Sequence, residues 1–80
     1  MMEVSKRNKE EDKLLKSLGD NLKKIRELKN LTQETLAYEA GFSRSYYTEV
    51  ENGKRNISLI NIKKLANVLG ISLSEILKNI

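Results

Sequence analysis

The chain has 80 residues, a formal net charge of +4, and no Cys, His, Pro or Trp. That length allows one small domain, which buries only about 60–65% of the surface its unfolded chain exposes. Without Cys there is no disulfide framework and no thiolate metal site. Without His the commonest general base and metal ligand are gone, so zinc sites, Ser-His triads and Cys-His dyads are excluded.

Residues 1–12 form a charged lead with no apolar face, expected to be flexible or to extend the first helix; a domain is expected over 13–80. The lead has no apolar run of the kind a signal peptide needs, and no stretch is long and apolar enough to span a membrane. A cytoplasmic location is the expectation.

Over residues 14–29, Leu14, Leu15, Leu18, Leu22, Ile25 and Leu28 recur at spacings of three and four, an apolar stripe on one helical face. Lys16, Asp20, Lys23, Lys24 and Glu27 fill the wet side. Gly19 weakens the middle by roughly 1 kcal/mol relative to Ala. The helix is therefore expected to start near Glu10 or near Asp20, and Asn30 is a plausible left-handed stop.

The next four helices share one device. Each begins at a Thr or Ser that can cap free backbone N–H groups, with an apolar residue just before the cap and another four residues after it. Leu31-Thr32 pairs with Leu36, Phe42-Ser43 with Tyr47, Ile57-Ser58 with Ile62, and Ile71-Ser72 with Ile76. At the last of these, Glu75 sits where it completes a capping box. The helices are expected over 33–40, 44–52, 59–69 and 73–79, with Gly41, Gly53 and Gly70 at or just past their ends. The fold expected is all-α, five short helices with short connections.

Two of these helices are joined through Ala40-Gly41-Phe42-Ser43, the helix-turn-helix arrangement. Leu36, Ala37 and Ala40 form the inner face of the first, Tyr47 and Val50 that of the second. The outer face of the second is Arg44, Ser45, Thr48, Glu49 and Asn52. It is polar and free of large apolar groups, so it can enter a major groove and present donors and acceptors to base edges.

On Leu22-Lys23-Lys24-Ile25-Arg26, Leu31-Thr32-Gln33-Glu34-Thr35-Leu36-Ala37, Gly41 and Val50-Glu51-Asn52-Gly53-Lys54-Arg55, residues 22–77 resemble the phage-repressor (Cro/Xre) helix-turn-helix family. Arg44-Ser45-Tyr46-Tyr47 and Arg55-Asn56-Ile57-Ser58-Leu59 look closest to controller proteins of restriction–modification systems. The resemblance implies a compact lambda-repressor-like domain that binds double-stranded DNA.

The resemblance implies a phosphate contact for the Gln33 amide, and a helix N-terminus favours anions in any case. Arg44 follows the Ser43 cap at the leading end of the recognition helix. Arg is the natural bidentate partner of guanine O6 and N7; the bland alternative is a surface ion pair. Ser45 and Thr48 can bond to base edges or to phosphate. Glu49 can accept from cytosine N4, orient Arg44, or exclude wrong bases. Tyr46 is exposed by periodicity, and the resemblance suggests a backbone contact for it; Tyr38 can do the same or pack at a rim. Asn52, Lys54, Arg55 and Asn56 follow the recognition helix, and the Lys and Arg of this loop are placed for phosphate contacts, with a solvated turn as the alternative. The resemblance also implies a partly buried pair of Arg26 and Glu51 that locks the recognition helix to the first helix.

Leu73, Ile76, Leu77 and Ile80 give the last helix more apolar surface than its packing needs. Part of it is expected to form a homodimer contact, which would set two recognition helices about 34 Å apart on a palindromic operator. The alternative is that all of it closes the monomer core. A different function, an antitoxin or other helical interaction module, would use the same apolar face. An enzyme is not expected, because the chain has no phosphate loop and no convincing carboxylate constellation; no cofactor, metal or small-molecule substrate is expected either. The charge is unevenly placed: residues 1–30 hold nine Lys/Arg against six Asp/Glu, and residues 31–80 hold six against five. The case for DNA therefore rests on where individual cations stand, not on bulk basicity.

Overall fold

The computed structural model describes residues 8–80, and these contain five helices and no strand. Helix α1 spans Lys9–Leu28, α2 Gln33–Ala40, α3 Arg44–Glu51, α4 Leu59–Leu69 and α5 Leu73–Ile76. Of the charged lead, residues 1–7 lie outside the described residues, and Lys9 to Asp12 form the first turn of α1. Helix α1 thus begins close to Glu10 and runs through Gly19 without a break. Asn8 explains the start: its side chain accepts from the Glu11 N–H at 2.8 Å, and the Glu11 carboxylate accepts from the Asn8 N–H at 3.2 Å, a reciprocal capping box.

The four Thr/Ser caps form as the sequence suggests. The hydroxyls of Thr32, Ser43, Ser58 and Ser72 accept from the backbone N–H of Thr35, Tyr46, Asn61 and Glu75. The capping box at Ser72 closes only on one side: its hydroxyl accepts from the Glu75 N–H, but the Glu75 carboxylate does not reach back to the Ser72 N–H, and the Ser72 hydroxyl also meets that of Ser74 at 2.9 Å. The helix exits are equally uniform. The N–H groups of Leu31, Phe42, Lys54 and Ile71 donate to the carbonyls of Arg26, Ala37, Glu49 and Ala66, five residues back. Asn30, Gly41, Gly53 and Gly70 take the positive φ that this closure needs.

The core is built from Leu18 and Leu22 of α1, Leu36, Ala37 and Ala40 of α2, Tyr47 and Val50 of α3, Ile57, then Ile62, Leu65, Ala66 and Leu69 of α4, and Ile76. Leu31, Phe42 and Ile71, the apolar residues just before three of the caps, pack against it, and Ile57 lies within it. The apolar stripe of α1 is narrower than its sequence suggests: Leu14 and Leu28 are exposed. Two exposed apolar residues, Leu59 and Ile60, open α4.

Gly19 has a role that propensity alone hides. A Cβ there would overlap the backbone carbonyl of Glu51, so its absence lets α1 cross the end of α3 at backbone contact.

Helix α5 is shorter than expected, ending at Ile76 rather than near residue 79. The Asn21 side chain of α1 donates to the carbonyls of Ile76 and Lys78 at 2.7 and 3.0 Å, and Asn79 adopts φ 62°. A side chain from another helix thus takes up carbonyls at the end of α5, and the chain turns there. Ile76 itself is completely buried inside the chain's own core, which corrects its assignment as a dimer contact. Leu73 is half-buried, while Leu77 and Ile80 keep 37% and 44% of their surface.

Candidate nucleic-acid interface

The outer face of α3 is held in place by a buried polar network beneath it. Arg26 of α1 donates from Nε to Glu51 Oε2 at 2.6 Å and from Nη2 to Glu51 Oε1 at 3.3 Å. The two side chains keep only 10% and 2% of their surface. The Tyr47 hydroxyl donates to Glu51 Oε2 at 2.5 Å, and Gln33 Nε2 donates to Oε1 at 2.8 Å. Both carboxylate oxygens are thus satisfied, the condition under which a buried charge is tolerated. Arg26 also donates from Nη1 to the Leu31 carbonyl at 2.7 Å, which pins the turn into α2.

The ionisation of these groups follows the geometry. Burial pushes the Glu51 carboxyl up, but the bonds from Arg26, Tyr47 and Gln33 outweigh it and hold the group below its usual range. The bond to Glu51 raises Arg26 against the opposing effect of burial. Burial, then the adjacent carboxylate, raises the Tyr47 phenol, which stays a neutral donor.

Gln33, the first residue of α2, for which the family resemblance implies a phosphate contact, is here bonded within the domain. One amide proton is spent on Glu51, and its Oε1 accepts from the Thr48 hydroxyl at 2.9 Å. The start of α2 is therefore tied to the middle of α3. Nothing in the sequence spacing signals this link.

Arg44, Ser45 and Thr48 line a shallow concavity on the outer face of α3. Arg44 is exposed and has no ion-pair partner among the described residues. Ser43 is the N-cap and Asn52 the C-cap of α3; Lys54 and Arg55 are exposed in the following loop. Glu49 pairs with Arg55, Nε to Oε1 at 2.8 Å, so of the readings open for it, orienting Arg44 is not the one formed.

Tyr46 corrects the periodicity reading. It is half-buried, not exposed, because three side chains close around it. Phe42 meets its ring edge-to-face at 5.1 Å, the Arg55 guanidinium lies 5.1 Å from its centroid, and Asn61 Nδ2 donates to its hydroxyl at 3.2 Å. Asn61 comes from the first turn of α4, a partner that only the tertiary fold brings near. Tyr38 remains exposed.

Among the described residues, no group of three or more acidic, Cys or His side chains is placed to hold a metal, and no helix is long and apolar enough to cross a membrane.

Two helices joined at a glycine turn, with a rigidly supported polar outer face, define a helix-turn-helix DNA-binding domain. The helix-turn-helix family signature matches residues 22–76, and the chain belongs to this family, of the Cro/Xre type, whose members are DNA-binding transcriptional regulators. The chain is similar to the control protein C.MunI of a Mycoplasma species, 48% identical over 63 residues, which span 78% of this chain and 85% of that protein. It is also similar to the crystal structure of the restriction–modification controller protein C.AhdI from Aeromonas hydrophila. That match has TM-score 0.76 and 48% identity, over 78% of this chain and 94% of that one. A third similarity is to the controller protein C.Esp1396I, solved as a tetramer with its natural 35 base-pair operator. Here the TM-score is 0.70 and the identity 33%, over 81% of this chain and 96% of that one.

Proposed function

We propose that the protein is a sequence-specific regulator of transcription that binds a palindromic operator as a homodimer and serves as the controller of a restriction–modification system. The observation that carries this reading is the outer face of α3. Arg44, Ser45 and Thr48 form a polar surface open to a ligand, set on a helix that the Arg26–Glu51 network fixes to the rest of the domain. A rigid base beneath a polar face is what direct readout of base edges requires. In this reading Arg44 addresses a guanine, Ser45 and Thr48 the neighbouring edges, and Gln33, Asn52, Lys54 and Arg55 the phosphates on either side. The protein acts in the cytoplasm and by binding, without catalysis.

Leu77 and Ile80, with the edge of Leu73, provide the contact between subunits. The alternative, an antitoxin or other interaction module, would use the same apolar face, which is smaller than the sequence suggests because Ile76 is consumed by the core, whereas the family match and the polar outer face of α3 both favour DNA. DNA binding is therefore the stronger reading.

Selection from a pool of random duplexes tests it. The expected product is an inverted repeat whose half-sites lie about one helical turn, roughly 34 Å, apart or a multiple of that. A pool that stays unenriched after repeated rounds overturns the reading.

A further inference from the structure

Glu49 stands on α3 one turn beyond Ser45, on the same outward face. A bare carboxylate facing a groove walled by phosphates is repelled, so its presence there calls for compensation. Arg55 supplies it. Its Nε holds Glu49 Oε1 at 2.8 Å, and its guanidinium rests on the Tyr46 ring, itself fixed by Phe42 and Asn61. The pair is half exposed on both sides, so it adds little to the stability of the fold. Its geometry serves something else. Glu49 Oε2 has no partner among the described residues, and the terminal nitrogens of Arg55 make no hydrogen bond there either. The Lys54 N–H also donates to the Glu49 carbonyl at 2.8 Å, which keeps the start of the loop close to the residue it serves.

We propose that Glu49 and Arg55 act as one composite reader of DNA sequence, with Arg55 the positioning residue. The clamped carboxylate accepts through its free oxygen from the N4 amino group of a cytosine in the major groove. The terminal N–H groups of Arg55 bond to a neighbouring phosphate. The pairing removes the orienting of Arg44 from the roles open to Glu49, and in this proposal it makes a loop cation part of base selection and not only of affinity. The inference rests on the DNA-binding reading above.

The test uses the full chain and the operator recovered by selection, with each base pair of one half-site substituted in turn and binding followed by fluorescence anisotropy. Four proteins are compared: wild type, E49A, R55A and the double variant. E49A is expected to lose about tenfold in discrimination at one base pair, where the wild type prefers cytosine, and to leave the other positions unchanged. R55A is expected to bind every operator more weakly and to lose the preference for cytosine at the same base pair as E49A. The double variant is expected to bind at least as tightly as R55A, because the uncompensated carboxylate has gone. Thermal unfolding is expected to be the same for all four. Independent, multiplying losses, or unchanged base preference in E49A, overturn the composite reader while leaving DNA binding intact. A wild-type protein that selects no duplex overturns both.

Discussion

Arg26 and Glu51, 25 residues apart in sequence, meet at 2.6 Å in a site that keeps almost no solvent. Through this pair α1 grips the end of α3, while Gln33 and Tyr47 complete the coordination of the carboxylate. The orientation of the outer face of α3 is thus set by a contact on its opposite side. Replacing Arg26 by Ala leaves a buried carboxylate with its cation removed. It is expected to cost about 3–5 kcal/mol of folding stability, read by urea denaturation at neutral pH. A loss under about 1 kcal/mol would mean that the pair is solvated and does not set the helix orientation.

The same site gives the fold an acid-sensitive limb. The Glu51 carboxyl is held below its ordinary value of 4.5, so the folded state binds its proton less readily than the unfolded chain does. Its contribution is fully present above that value and is lost as the pH falls through the lowered folded-state pKa. Denaturation midpoints measured from pH 6 downward are expected to fall more steeply below about pH 4.5 in the wild type than in E51Q. Parallel curves for the two proteins would remove Glu51 from the account.

Gly19→Ala separates helix propensity from packing. On propensity alone the change stabilises α1 by about 1 kcal/mol. The added Cβ would overlap the Glu51 carbonyl, so α1 and α3 must move apart. The expected outcome is a net loss of about 1–3 kcal/mol and a melting temperature lower by several degrees. A higher melting temperature would show that the crossing has room to spare.

The exposed end of the chain beyond α5 tests the assembly. Leu77→Asp and Ile80→Asp alter side chains that the monomer core does not need. Each is expected to shift sedimentation at micromolar concentration from dimer to monomer while leaving helical content unchanged. Ile76→Asp, by contrast, is expected to unfold the protein, because it buries an unpaired charge. A wild type that sediments as a monomer both alone and on its operator contradicts the two-fold arrangement.

Much of this was legible in the chain. The caps at Thr32, Ser43, Ser58 and Ser72, the positive-φ exits at Gly41, Gly53 and Gly70, and the inner faces of α2 and α3 are local chemistry, fixed within five or six residues. The Asn8–Glu11 box carried the same local signal and marks where α1 begins. What periodicity missed depends on partners from elsewhere. Tyr46 is covered by Asn61 and Arg55, α5 is ended by Asn21, and Gly19 is required by the carbonyl of Glu51. Ile76 has the spacing of a surface contact and the burial of a core residue, because α4 and α1 close over a helix of four residues.

The central claim is that the exposed face of α3 reads base sequence through Arg44, and the most direct measurement is R44A on the selected operator across a salt series. Affinity is expected to fall by about 1–3 kcal/mol, with base preference relaxed at one position of each half-site. The salt slope is expected to stay shallow, well under ten released counterions for a dimer, because residues 31–80 carry six cations against five acids. Unchanged affinity and unchanged base preference in R44A would contradict the assignment of α3 as the recognition helix.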